Sequence, residues 1–158
     1  ISLANELEAL KLYVEMEALR FDHKFDYDIS AEEDIHTETM SIPSMLIQPY
    51  VENAIWHGLL HKEERGKLNI SFSKDSDGNL EVSVDDDGVG RQKAAELKSK
   101  QVLKKKSYGM QITEDRMAII NRIEKINARC RVIDKMDAEG NPMGTKVLLT
   151  IPLKPIKN

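Results

Sequence analysis

The 158-residue chain is 41% hydrophobic and 32% charged, the balance of a globular protein that buries a core without disulfide or metal staples, not that of a disordered or membrane-spanning chain. Its net charge is −4, with basic residues dispersed among acids, which excludes the broad positive face that phosphate-backbone binding requires, so no nucleic acid partner is expected. The single cysteine, Cys130, has no partner for a disulfide or a thiolate metal site and fits a reducing, cytoplasmic setting as an inert core thiol.

The chain opens at Ile1 rather than Met and reads as a piece of a longer protein whose upstream part can carry sensor or membrane segments. Ser2 is a plausible N-cap for a first helix, along which Leu3, Leu7, Leu10, Val14 and Ala18 recur at helical spacing. Phe25, Tyr27 and Ile29 alternate with Asp26 and Asp28 in a short strand that ends in the acidic turn Ala31, Glu32, Glu33, Asp34. Pro43 stands where a helix can begin, and the apolar run 45–60 is the candidate central buried helix. Leu68, Ile70 and Phe72, then Leu80, Val82 and Val84, alternate on either side of turn residues 75–79 and predict a hairpin. Residues 91–107 are poor in large apolar side chains and read as a mobile segment or weak helix. Ile112, Ile119, Ile120, Ile123 and Ile126 define a further amphipathic helix. Strands follow around 129–136 and 146–152, with Gly140, Asn141, Pro142 and Gly144 turning the chain between them. The pattern predicts an α/β architecture with helices on one face of a largely antiparallel sheet.

Three clusters carry chemistry. Glu52 and Asn53 sit side by side in an otherwise apolar helix, where each polar group needs a partner once it leaves water. The Asn53 amide oxygen suits Mg²⁺, a hard cation completed by waters and phosphates; a helix-end pair satisfied by nearby backbone is the alternative. After the strand at Val84, Gly88 and Gly90 permit positive φ and close approach to a flat ligand, while Asp86 can accept a hydrogen bond from an exocyclic amine and so select adenine over guanine. A plain acidic turn has the same composition. Gly109 precedes the Ile-rich helix, whose first N–H groups can receive phosphate oxygens. Lys98, Lys100, Lys104, Lys105 and Lys106 precede it and either close over a triphosphate or form a solvated basic loop.

In order, these clusters resemble the N box, G1 box and G2 region of the GHKL superfamily. The run from Ile42-Pro43 through Gln48-Pro49-Tyr50-Val51-Glu52-Asn53-Ala54-Ile55 to His57-Gly58, with Tyr13, Glu17, Arg20 and Phe21 before it, is similar to LytS-type sensor histidine kinases. The match continues to Gly144-Thr145-Lys146-Val147 and Ile151-Pro152. This resemblance implies a Bergerat-type two-layer α/β sandwich with a mixed, mostly antiparallel sheet and helices on one face. It divides the chain into 1–24, the end of a dimerisation or linker helix, and 25–158, an ATP-binding catalytic domain. It assigns catalytic roles to Glu52 and Asn53 and metal binding to Asn53. Nucleotide contacts go to Asn53, His57, Asp86, Gly88, Gly90, Tyr108, Gly109, Met110 and Thr145, with Thr145 supporting Asp86 and residues 91–108 forming a lid. Trp56 stands where the family places a lysine, Asp87 where asparagine is common, and Ser107 where the G2 pattern has its first glycine, departures that bear on affinity and lid closure.

The implied function is that of a sensor histidine kinase catalytic domain. It binds ATP and Mg²⁺ and passes the γ-phosphoryl group to a histidine on a helical domain absent from the chain, for relay to a response regulator. A homodimer in the intact protein and a cytoplasmic location in a membrane-bound sensor accompany it. None of His23, His36, His57 and His61 has an acceptor context. Two alternatives stand beside it: a GHKL ATP hydrolase or serine protein kinase, and a non-catalytic interaction domain.

Overall fold

The structure, a computed structural model, describes residues 2–91, 93 and 109–156, the side chains of 109–112 excepted. Helix α1 (Leu3–Arg20) starts where the sequence places it, because the Ser2 hydroxyl accepts the Asn5 backbone N–H at 3.1 Å and satisfies one of the helix's open donors. Its Leu3, Leu7, Leu10, Val14 and Ala18 stripe is buried in the main apolar cluster. Strand β1 (Phe25–Ala31) follows, then the two-residue strand β2 (Met40–Ser41).

The central helix differs from the expected single helix over 45–60. Helix α2 spans only Gln48–Asn53, passes into a π-helical turn at Ala54–Gly58 and ends in a 3-10 turn at Leu59–His61. Met45 has φ +63°, incompatible with a right-handed helix, so Pro43 does not start it. Pro49 occupies the first turn instead, where a missing N–H removes no helical bond.

Strands β3 (Gly66–Lys74) and β4 (Leu80–Asp86) form the expected hairpin. The Asp75 carboxylate closes its turn by accepting the Asp77 and Asn79 backbone N–H groups, both at 2.9 Å. Helix α3 (Gly109–Glu124) leads to the second hairpin, β5 (Arg129–Met136) with β6 (Pro142–Ile151), and the short β7 (Lys154–Pro155) pairs with β2. Pro142 and Gly144, expected in the turn, lie in β6, and Asp137 to Asn141 make the turn itself.

The main sheet has order β1-β3-β4-β6-β5, with β1 and β3 parallel and the other pairs antiparallel. Two-residue alternation turns Leu68, Ile70, Phe72, Leu80, Val82, Val84, Val147, Leu149 and Ile151 inward, all buried in one cluster with side chains of α1, α2 and α3. The opposite face presents Asn69, Ser71, Glu81 and Ser83, so the molecule is the mixed, mostly antiparallel α/β sandwich that the sequence predicts. In β4 the alternation continues past Val84, with buried and half-buried residues in strict succession to a buried Asp86. The strand thus drives a carboxylate inward in the same phase as three apolar side chains.

Candidate functional site

Asp86 is only 4% exposed. Its register partner on β6 is Thr145, also buried, which ends the inward row Ile151, Leu149, Val147. The Asp86 carboxylate accepts the Gly88 backbone N–H at 2.9 Å. Burial pushes the carboxyl up to about 6, opposed by hydrogen bonds from the Gly88 and Thr145 backbones and by the charge of Lys135. Thr145 thus faces Asp86 across the β4–β6 ladder.

The neighbouring aspartates are held elsewhere, because alternation sends them away from the interior. Asp85 pairs with Lys135, half-buried on the other side of the strand. Asp87 accepts the Lys67 backbone N–H at 2.7 Å and approaches the Lys62 ammonium at 3.3 Å. Of the three consecutive carboxylates, Asp86 alone is committed to the interior.

Glycines bring the helix end against this carboxylate. A Cβ on Gly58, the last residue of the π-helical turn, would stand 2.8 Å from Asp86 Oδ1. One on Gly88 would stand 2.3 Å from the Gly58 carbonyl carbon, and Val89 N–H donates to the Gly58 carbonyl at 3.3 Å. Gly90 has φ +83°, but Gly88 is not among the positive-φ glycines. Its missing side chain serves the backbone approach to Gly58 rather than an unusual φ.

Asn53 lies on the same helix, five residues before Gly58 and so roughly 7 Å away along the axis. Its amide nitrogen donates to the hydroxyl of buried Thr113 on α3 at 3.4 Å. That bond commits the nitrogen and leaves the oxygen as the atom offered to a hard cation. Among the described residues no group of three or more His, Cys, Asp or Glu side chains could hold a metal. A cation here would therefore keep several waters or ligand oxygens, the habit of Mg²⁺. Glu52 accepts Gln48 Nε2 at 3.2 Å, and His57 is half-buried within the π-helical turn. Gly109 and Met110 open α3, whereas Tyr108, Ser107 and the five lysines expected in a lid lie outside the described residues.

Two features escaped the sequence reading. Arg91, the first residue of the expected lid, forms a two-pronged ion pair with Asp134 of β5, at 2.9 and 2.7 Å, which holds the Asp134 carboxyl below the usual range. The pair lines a cavity of about 300 Å³ together with Gly90, Pro142 and Gly144. The second is an aromatic platform. Phe21 and Trp56 meet edge to face at 5.0 Å, and the Arg20 guanidinium lies 5.3 Å from both rings. Cys130 is half-buried and its thiol is pushed up, chiefly by burial, which suppresses thiolate chemistry.

No protein-family model matches the chain. Its fold is the one seen in histidine kinase catalytic domains: superposition on the catalytic domain of the histidine kinase ThkA gives a TM-score of 0.60 at 16% identity, over 99% of this chain and 97% of that one. In sequence it is similar to sensor histidine kinases of the LytS type. It is 29% identical over 90 residues to the sensor histidine kinase/phosphatase LytS of Staphylococcus aureus (strain MRSA252), which is 57% of this chain and 15% of LytS. It is 32% identical over 89 residues to the uncharacterized protein YwpD of Bacillus subtilis (strain 168), 56% of this chain and 31% of YwpD. The chain thus spans less than a third of the length of these curated relatives. No helix among the described residues is long and apolar enough to cross a membrane.

Proposed function

We propose that the chain binds Mg-ATP as the catalytic domain of a LytS-type sensor histidine kinase and delivers the γ-phosphoryl group to a histidine on a helical domain, for relay to a response regulator. The observation that carries this reading is the buried Asp86 carboxylate packed against Gly58, one helical segment away from Asn53. A carboxylate kept from water and backed by the Gly88 main-chain donor is an acceptor suited to a neutral donor such as an exocyclic amine. It accepts from the adenine amine and opposes guanine, whose carbonyl at that position would leave two acceptors facing each other.

Asn53 Oδ1 would hold Mg²⁺, which supplies charge neutralisation for the phosphates when bound. Glu52, tied to Gln48, orients the accepting group or takes its proton. At the start of α3 main-chain N–H groups meet phosphate oxygens, and Arg91 after the glycine turn is fixed by its pair with Asp134. In-line phosphoryl transfer depends mainly on positioning and charge stabilisation. The domain therefore brings nucleotide to a nucleophile carried on another element, in a homodimeric sensor whose kinase part faces the cytoplasm.

The test pairs binding with labelling. Calorimetric titration with ATP is expected to show binding that Mg²⁺ strengthens, and Asn53→Ala is expected to remove the Mg²⁺ dependence while adenosine still binds. Incubation with γ-labelled ATP is expected to leave the 158-residue chain almost unlabelled, because His23, His36, His57 and His61 are not the acceptors. Strong acid-labile labelling of this chain, or Mg²⁺ dependence that survives Asn53→Ala, contradicts the reading.

A further inference from the structure

The apolar core accounts for the inner stripe of α1, but not for the polar and aromatic side chains at its C-terminal end. Arg20 is the last residue of α1, and its side chain is 62% exposed. Among the described residues its guanidinium makes one ion pair, with Glu17 Oε1 at 3.8 Å. It is nevertheless held in place, 5.3 Å from the ring centres of both Phe21 and Trp56. A planar cation stacked against aromatic faces keeps its edge, where the N–H donors lie, open to a further partner.

The platform belongs to the candidate site. Trp56 stands three residues after Asn53 and four after Glu52 on the helical segment that begins as α2, spacings that make it a surface neighbour of each. Tyr13, one α1 turn before Glu17, feels Glu17, Glu52 and Arg20 together and shares a hydrogen bond with Trp56, its phenol pushed up to about 12 mainly by burial. Arg20 therefore rests on a ring one helical turn from Asn53. Beside it the second Glu17 oxygen, Oε2, is buried without a hydrogen-bond partner among the described residues.

Resting on the nucleotide reading above, we infer that Arg20, braced on Phe21 and Trp56, binds the terminal phosphates of the nucleotide. The base end is fixed by Asp86 next to Gly58 and the metal end by Asn53 one segment earlier, and Arg20 rests on Trp56, the surface neighbour of Asn53, on the side of the metal-bound phosphates. A guanidinium presents paired N–H donors that match two phosphate oxygens, which an ammonium does not. Helix α1 thereby contributes a ligand-binding group to a site otherwise built by α2, β4 and α3.

The experiment compares the unaltered chain with Arg20→Gln and Arg20→Lys, titrating each with Mg-ATP, Mg-ADP and adenosine. Trp56, the single tryptophan, gives an independent fluorescence readout, since a phosphate that engages Arg20 alters the cation at its ring face. Arg20→Gln is expected to weaken Mg-ATP by roughly ten- to a hundredfold, Mg-ADP less, and adenosine not at all, the loss of one charge-assisted phosphate contact. Arg20→Lys is expected to recover part of the ATP affinity. Thermal unfolding should be nearly unchanged in both variants, as befits an exposed position.

Equal loss of all three ligands would make Arg20 a structural residue and overturn the inference, as would unaltered ATP affinity in Arg20→Gln. In both cases adenosine binding by the unaltered chain leaves the nucleotide reading standing. An unaltered chain that binds neither ATP nor adenosine overturns both.

Discussion

Asp86→Asn is expected to abolish adenosine binding and, at the same time, to make the nucleotide-free protein more stable near neutral pH. The binding loss should be roughly a hundredfold or more, because an amide in place of the carboxylate can turn a donor toward the adenine amine. The stability gain follows from burial. The Asp86 carboxyl is raised from its ordinary value of 3.8 to about 6 in the folded protein. A rise of about two units is a penalty on the order of 3 kcal/mol against the charged form.

The sign follows from the raised folded value. The carboxyl's contribution is most favourable below 3.8, where it is protonated in both states, and is lost as pH rises through about 6. The Asn variant should therefore exceed the unaltered chain by its full margin above about pH 6, with the margin shrinking toward zero near 3.8. Urea denaturation of both chains across this range measures the difference. Equal stability at every pH, together with retained adenosine binding, would show that Asp86 is an ordinary surface-like carboxylate.

Gly144→Ala is expected to be among the most destabilising single changes in the chain. Gly144 has φ +112°, and a Cβ there would lie 2.0 Å from the Asp86 carbonyl oxygen and 2.8 Å from Asp87 Cα. Backbone strain and a clash with main chain that cannot rotate away together cost roughly 3–5 kcal/mol, a large part of the stability of a domain this size. Adenosine affinity should fall with it, since β4 must move at Asp86. Gly140→Ala is the control: φ is +81°, but no atom lies within 4 Å of the added Cβ, so only the conformational cost of about 1 kcal/mol applies. Similar denaturation midpoints for the two variants would mean that the approach of β6 to Asp86 is not tight.

Local patterns account for what the sequence reveals well. The Ser2 cap, the apolar stripe of α1 and both hairpins are written in neighbouring residues, and the structure reproduces them. Asp86 was legible in kind but not in cause. The alternation Leu80, Val82, Val84 continues one period further than read, and that single step separates an exposed acidic turn from a buried acceptor. The central helix was misjudged at its start because two prolines compete for the first turn, and only the left-handed Met45 decides between them. At the end of its π-helical turn Gly58 meets Gly88, thirty residues away in sequence, a contact that no local pattern encodes.

The remaining features are tertiary. The parallel pairing of β1 with β3 joins segments separated by the whole central helix. The Arg91–Asp134 and Asp85–Lys135 pairs join residues 43 and 50 apart. Trp56 was visible only as a departure from a family pattern, and Arg20 only as part of a linker spacing. Their stacking brings the end of α1 against the π-helical turn. Side-chain identity is enough to nominate Asn53, Asp86 and Thr145, but not to bring a group from α1 to the same helix edge.

The most direct test of the central claim, that Asn53 and Asp86 serve one nucleotide, is a crystal structure of the chain with Mg²⁺ and a non-hydrolysable ATP analogue. The expected density has the adenine amine hydrogen-bonded to the Asp86 carboxylate and Asn53 Oδ1 in the coordination shell of the metal. A nucleotide bound away from Asp86, or a metal whose ligands do not include Asn53, would contradict it.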